Sequence, residues 1–144
     1  MESALVSFLR MAGYSKRSLV AKLGIKAGSP IAILGAPRHY RATLGPLPRG
    51  VAVRTAIRGP VPFIQFFTDR EQVLAAKFSR LARALTPDGT LWISWPKKAA
   101  NIPTDVTENV VRAVGLRHGL VDVKVCAVDD VWSGLKFVRR LEDR

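Results

Sequence analysis

The run IAILGA at residues 31–36 is apolar at successive positions rather than alternate ones. A strand written this way is covered on both faces, which places it centrally in a parallel sheet. Parallel neighbours need long crossovers, usually helical, so the flanking segments are read for helices first.

Helices are found on both sides of it. Before it, Ser15 precedes KRSLVAKLG, where two helical turns would carry Leu19, Val20 and Leu23 inward and stop at Gly24, a residue free to adopt the left-handed conformation. After it, PRHYRATLG predicts a short helix closed by the turn PLPRG, then a second strand VAVRTAI and a third, FIQFF. Thr68 and Glu71 have capping-box spacing, so a helix is expected over about residues 69–85, with Leu74, Phe78, Leu81 and Leu85 on one face. Lys77, Arg80 and Arg83 fall on the opposite face.

Thr86-Pro-Asp-Gly89 predicts a turn, and LWISW a fourth strand. Asp105 and Glu108 form a second capping box, opening a helix with Val106, Val110 and Val114 inward and an end near Gly115 or Gly119. The alternating stretches VDVKVCAV and GLKFVRR, joined by DDVWS, predict an antiparallel hairpin at the sheet edge. The sum is an α/β fold: a three-layer, Rossmann-like, mostly parallel sheet of about six strands ending in an antiparallel hairpin. One tension is visible. If VAVRTAI and FIQFF are parallel on opposite sides of the first strand, only about five to seven residues cross between them, where a dozen is usual; the strands are short or the pair is antiparallel.

A chain of 144 residues fits one domain. Leu5, Phe8 and Leu9 have helical spacing, and Met11 offers a second start, so residues 1–11 read as a helical extension to a single domain over 12–144. The acidic second residue and the short apolar run before Arg10 make a poor secretory signal, and no run approaches the roughly 20 apolar residues of a membrane span. A cytoplasmic, non-membrane protein is expected.

Twenty-three basic against 11 acidic residues give a formal charge of +12, which invites an anionic partner, small molecule or macromolecule, nucleic acid included. The bases are spread along the chain with no block longer than Lys97-Lys98 or Arg139-Arg140, so a diffusely basic solvated surface is the simpler reading. Lys77, Arg80 and Arg83 are the nucleic-acid candidates. Cys126 reads as a small core residue, His118 as a partner of a helix end, and two isolated histidines with one cysteine lack metal-ligand spacing. Gly-x-Ser-x-Gly is absent.

The order FIQFF, ALTPDGTLWISW, TENVVRAVGL and the final hairpin resembles the second half of a class I S-adenosylmethionine-dependent methyltransferase, over roughly residues 28–140. The resemblance implies that the last strand turns back to insert beside LWISW. More closely, YSKRSLVAKLGIKAG, WPKK and VCAVDDVWSGLKFV resemble an uncharacterised bacterial domain family of unknown function, a likeness that implies no activity.

The methyltransferase pattern wants a glycine-rich turn after the first strand and an acid ending the second. Here LGAPRHY has one glycine, and TAIRG has no carboxylate. The expectation is therefore no cofactor, with S-adenosylmethionine the disfavoured alternative, and a binding protein ahead of a divergent methyltransferase using the same edge. In that fold the ligand edge is the carboxyl edge, which gathers Gly35, Arg38, His39 and Tyr40 after the first strand, Trp95, Lys97 and Lys98 after the fourth, and Asp129, Asp130, Trp132 and Ser133 in the hairpin turn. Two roles compete there: an anion pocket with Trp95 or Trp132 as a stacking wall, or surface ion pairs from Lys97 and Lys98 to Asp129 or Asp130.

Overall fold

The computed structural model describes residues 17–144. The proposed extension 1–11, the Ser15 cap and the possible start at Met11 lie outside them. Strands β1 (Ile31–Leu34), β2 (Val53–Arg54), β3 (Val61–Phe67), β4 (Leu85–Pro96), β5 (Leu120–Ala127) and β6 (Trp132–Arg139) form one sheet in the order β2-β1-β3-β4-β6-β5. The first four are parallel; β6 is antiparallel to both β4 and β5. Helices α1 (Leu19–Leu23) and α2 (Tyr40–Leu44) accompany one core, α3 (Glu71–Ala84) and α4 (Glu108–Arg117) the other.

The side-chain period of two divides the strands between these cores. Ala32, Ile64, Phe66, Leu91, Ile93 and Phe137 meet Leu74, Phe78 and Leu81 of α3 and Val111 and Val114 of α4. Ile31, Ile33, Phe63, Phe67 and Trp92 meet Val20 and Leu23 of α1 and Tyr40 and Leu44 of α2. Ile31 and Ala32 are fully buried, as a strand apolar on both faces requires.

The crossing tension is resolved by brevity. β2 keeps two residues, Val53 beside Ile31 and Arg54 beside Ala32, and the chain then needs only residues 55–60 to reach β3. Ile57, expected in the strand, leaves it to pack against the first core.

The helix ends differ from the capping boxes expected. α1 is capped by Ser18, whose hydroxyl accepts from the Ala21 N–H at 3.1 Å, and stops at Gly24 with φ 82°. Thr68 accepts from the Arg70 N–H instead of closing a box with Glu71. The Glu71 N–H donates to the Asp105 carboxylate at 2.7 Å, so Asp105 serves α3, and Thr107 caps α4 through the Val110 N–H. Thr104 donates to the Asp69 carbonyl at 2.7 Å, completing a clasp between the two loops.

Leu85 is buried as expected but begins β4 rather than ending α3. Pro87 disfavours helical backbone at Thr86, and the Arg139 guanidinium takes the carbonyls of Ala82 and Leu85 at 2.8 and 2.6 Å, satisfying the helix end. Thr86–Gly89 is not a free turn. Val61 pairs with Leu85 and Phe63 with Thr90, so these residues are the excess of an irregular stretch within β4.

Candidate functional site

At the carboxyl edge, the first turn begins at Gly35, with φ 68°, beside the end of β3. A Cβ there would lie 2.8 Å from the Phe67 carbonyl oxygen. The glycine is thus required by the approach of two backbones, and the space it vacates is already filled by protein.

Tyr40 turns inward from the start of α2 and is 3% exposed. Its phenol donates to Gln65 Oε1 at 2.6 Å, and Gln65 Nε2 donates to Ser94 Oγ at 3.2 Å, so a buried polar ladder runs from α2 through β3 to β4. The Tyr40 ring meets Phe67 edge-on at 4.7 Å, and Phe67 meets Trp132 edge-on at 5.2 Å. These three rings pack in series on the α2 side of the edge. Burial pushes the Tyr40 phenol well above the ordinary tyrosine range despite the opposing Gln65 bond, with weaker upward contributions from Asp129 and Cys126. It stays protonated at neutral pH.

A Tyr40→Phe variant leaves Gln65 Oε1 buried without its donor and is expected to lose about 1–3 kcal/mol in urea unfolding. The wild-type contribution has a definite sign with pH. The folded pKa lies above the unfolded one, so the contribution is complete below 10.0, the ordinary value, and declines above it as only the unfolded chain ionises. The stability difference between wild type and variant should therefore narrow above pH 10.0. A difference that widened there would contradict this assignment.

The hairpin turn meets the end of β4 through its backbone. The Lys97 N–H donates to the Val131 carbonyl at 2.7 Å, and Trp95 and Pro96 pair with Ser133 and Trp132. The Asp129 carboxylate accepts from the N–H groups of Val131 and Trp132 at 2.8 and 2.7 Å, fastening its own turn. Among the described residues neither Lys97 nor Lys98 forms an ion pair with Asp129 or Asp130. Lys98, Asp130, Arg38 and His39 are exposed; Lys97, Trp132 and Ser133 are half-buried. Trp95 lies in the first core at 5% exposure, so it is not a wall of this edge and Trp132 is the one tryptophan left there.

A wider cleft opens on the other side, between the end of β1, the crossing 55–57 and α3. Its volume is about 770 Å3. Leu34, Ile57, Phe66 and Val73 supply apolar walls, Gly35 and Thr55 the lip, and Lys77 and Arg80 the charge. Arg83, the third base of that helix, lies outside the lining and is hydrogen-bonded to Ser79. His39 and Tyr40 border a separate cavity of about 210 Å3 across the sheet. The candidate residues therefore divide among three places.

Among the described residues no carboxylate lines the large cleft. The sequence carries this signal in its acids rather than its bases: from Ser3 to Thr68 there is no Asp or Glu, against 10 Lys and Arg. Elsewhere, His118 Nδ1 sits 2.8 Å from the Val114 carbonyl at the end of α4, and Cys126 is buried. Among the described residues no cluster of three His, Cys, Asp or Glu could hold a metal, and no helix is long and apolar enough to cross a membrane.

The fold matches solved methyltransferases. A TehB-like S-adenosylmethionine-dependent methyltransferase from Corynebacterium glutamicum superposes with a TM-score of 0.56 at 13% identity, over 93% of this chain and 94% of that one. A methyltransferase from Aquifex aeolicus gives 0.58 at 14% identity, over 91% and 96%. The fibrillarin pre-rRNA processing protein of Methanococcus jannaschii gives 0.52 at 13%, over 96% and 75%. No protein-family model matches the chain, and no curated protein matches it in sequence. Identities this low establish the fold and nothing finer.

Neither element of the cofactor pattern described above stands in this sequence. The first turn carries a single glycine, Gly35, with Pro37 after it, and β2 ends at Arg54 with no carboxylate in residues 55–60.

Proposed function

We propose that this protein acts by binding an anionic ligand with an apolar body, held in the cleft between the end of β1 and α3. The observation that supports it is the cleft's composition among the described residues: an apolar surface, two cations, and no carboxylate. Apolar walls remove the ligand from water, and in that setting a charge-assisted hydrogen bond is roughly twice as strong as a neutral one. Arg80 offers a planar fork and Lys77 a mobile point charge. The volume falls within the roughly 300–1,000 Å3 range of small-molecule sites. The resemblance to an uncharacterised bacterial family is compatible with this reading and adds no activity to it.

The test uses ATP and decanoate as probes of the two commonest bodies, with binding followed by calorimetry. Lys77→Ala with Arg80→Ala is expected to weaken whichever probe binds by about 10- to 100-fold, the value of one or two hydrogen bonds to a charged group. Lys97→Ala with Lys98→Ala should leave it unchanged. The reverse pattern moves the site to the β4 end; binding of neither probe rejects the cleft as an anion site of these two classes.

Likeness to methyltransferase structures favours a second reading, a divergent methyltransferase with its cofactor in another pose. S-adenosylhomocysteine at about 100 times its dissociation constant would add about 2.7 kcal/mol and raise the unfolding midpoint by roughly 5 to 10 °C. No shift rejects the reading. The acid-free stretch favours a third, sequence-independent nucleic-acid binding, which must weaken steeply with salt.

A further inference from the structure

The amino edge of the sheet, opposite the cleft, carries a feature that packing alone does not call for. β5 and β6 run in regular register from Leu120–Arg139 to Asp122–Phe137, and the next pair would set Val123 against Lys136. Instead the register slips by one residue and Lys124 faces Lys136. Val123, left unpaired by the slip, is 53% exposed. Directly opposed like charges on one face of an antiparallel pair are destabilising, so the bulge brings together two residues that repel.

A third lysine reaches the same place. Lys26, in the turn after α1, lines a cavity of about 210 Å3 together with Lys136, Ser29 and Thr90. Burial, then Lys124, then Lys26 hold the Lys136 ammonium below its usual range. Asp88 is the carboxylate on that wall, yet it forms no ion pair with Lys26 or Lys136, and no other carboxylate among the described residues pairs with the three lysines.

We propose that Lys26, Lys124 and Lys136 form a binding site for a compact phosphate-bearing anion at the amino edge of the sheet, separate from the carboxyl-edge cleft. Lys26 and Lys136 line the cavity as point charges, Lys124 stands opposite Lys136 on the neighbouring strand, and the hydroxyls of Ser29 and Thr90 add donors. The cavity is smaller than the roughly 300 Å3 at which drug-sized sites begin, so it suits a phosphate or pyrophosphate group and not a whole nucleotide. Bulges are enriched beside functional sites because they re-aim side chains, which is the effect of this one. The repulsion is a cost in the free protein that a bound anion removes.

Inorganic pyrophosphate is the probe, added at fixed ionic strength against sodium chloride, with the unfolding midpoint as the readout. Wild type is expected to rise by roughly 5 °C in saturating pyrophosphate beyond the chloride control. Lys136→Met keeps the aliphatic stem and loses the charge; it should melt higher than wild type in low salt and no longer respond to pyrophosphate. Lys124→Gln, on the exposed side of the pair, should reproduce both effects in smaller measure. Lys77→Ala with Arg80→Ala should respond as wild type, which separates this site from the cleft. An equal rise in chloride and pyrophosphate would mean screening only and overturns the site, as does a Lys136→Met variant that responds in full. A short oligothymidylate that competes with pyrophosphate would identify the phosphate as part of a nucleic-acid backbone; a failure to compete identifies a free small anion.

Discussion

Gly115→Ala is expected to lower the unfolding midpoint by roughly 10 °C, the consequence of about 3 kcal/mol of overpacking. Gly115 lies on the buried face of α4, and a Cβ there would be driven into the ring of Phe137 on β6. That ring cannot withdraw, since it is fully buried and meets Phe78 edge-on at 5.6 Å. The glycine is therefore the socket through which α4 approaches the sheet. Alanine improves helix propensity by about 1 kcal/mol at most, too little to compensate. Combining it with Phe137→Leu frees the space, so the double variant should be no less stable than Phe137→Leu alone. Strictly additive losses in urea titrations would show that the two positions do not share a contact.

Trp92→Ala should be the more damaging on the opposite face, at about 3–5 kcal/mol. Trp92 is fully buried, and its indole N–H donates to the Leu23 carbonyl at 2.9 Å. Its loss creates a cavity and leaves the carbonyl near the end of α1 without that donor. The urea midpoint should fall with little change in slope, and trypsin should cut at Lys22 and Lys26 faster than in wild type. Cleavage unchanged in a destabilised protein would show that α1 is held by its apolar contacts alone. Trp92→Phe, which keeps a ring but no donor, separates the two contributions.

The elements read correctly in the sequence were those with strong periodicity. Leu74, Phe78 and Leu81 marked α3, and the successive apolar residues of IAIL marked a strand with two covered faces. Polar residues near helix starts misled because their geometry was settled across space. Asp105 caps the helix beginning 34 residues earlier, while Thr107, inside the supposed box, caps its own. The Tyr40–Gln65–Ser94 ladder joins residues 25 and 29 positions apart, and no local pattern announces such a pairing. For the sites, the expected edge was legible and its division was not. Gly35, Tyr40 and Lys97 all flank the carboxyl edge, but the packed rings on one side and the open cleft on the other depend on which way each side chain turns. The lysine cluster is hidden further still, because one extra residue in β5 decides whether Lys124 or Val123 faces Lys136.

The place of β6 bears on how a nascent chain reaches this state. β6 lies between β4 and β5, and among the described residues β5 pairs with no other strand. Until residues 132–139 have been synthesised, β4 has an open edge carrying Leu91, Trp92 and Ile93, and β5 lacks its partner strand β6. The sheet therefore closes late and from within, after every strand on both flanks has been made. During that interval the exposed edge is a template for pairing with another chain. Slow translation through residues 97–131 would prolong the hazard, and a chaperone that occupies apolar strands would shorten it.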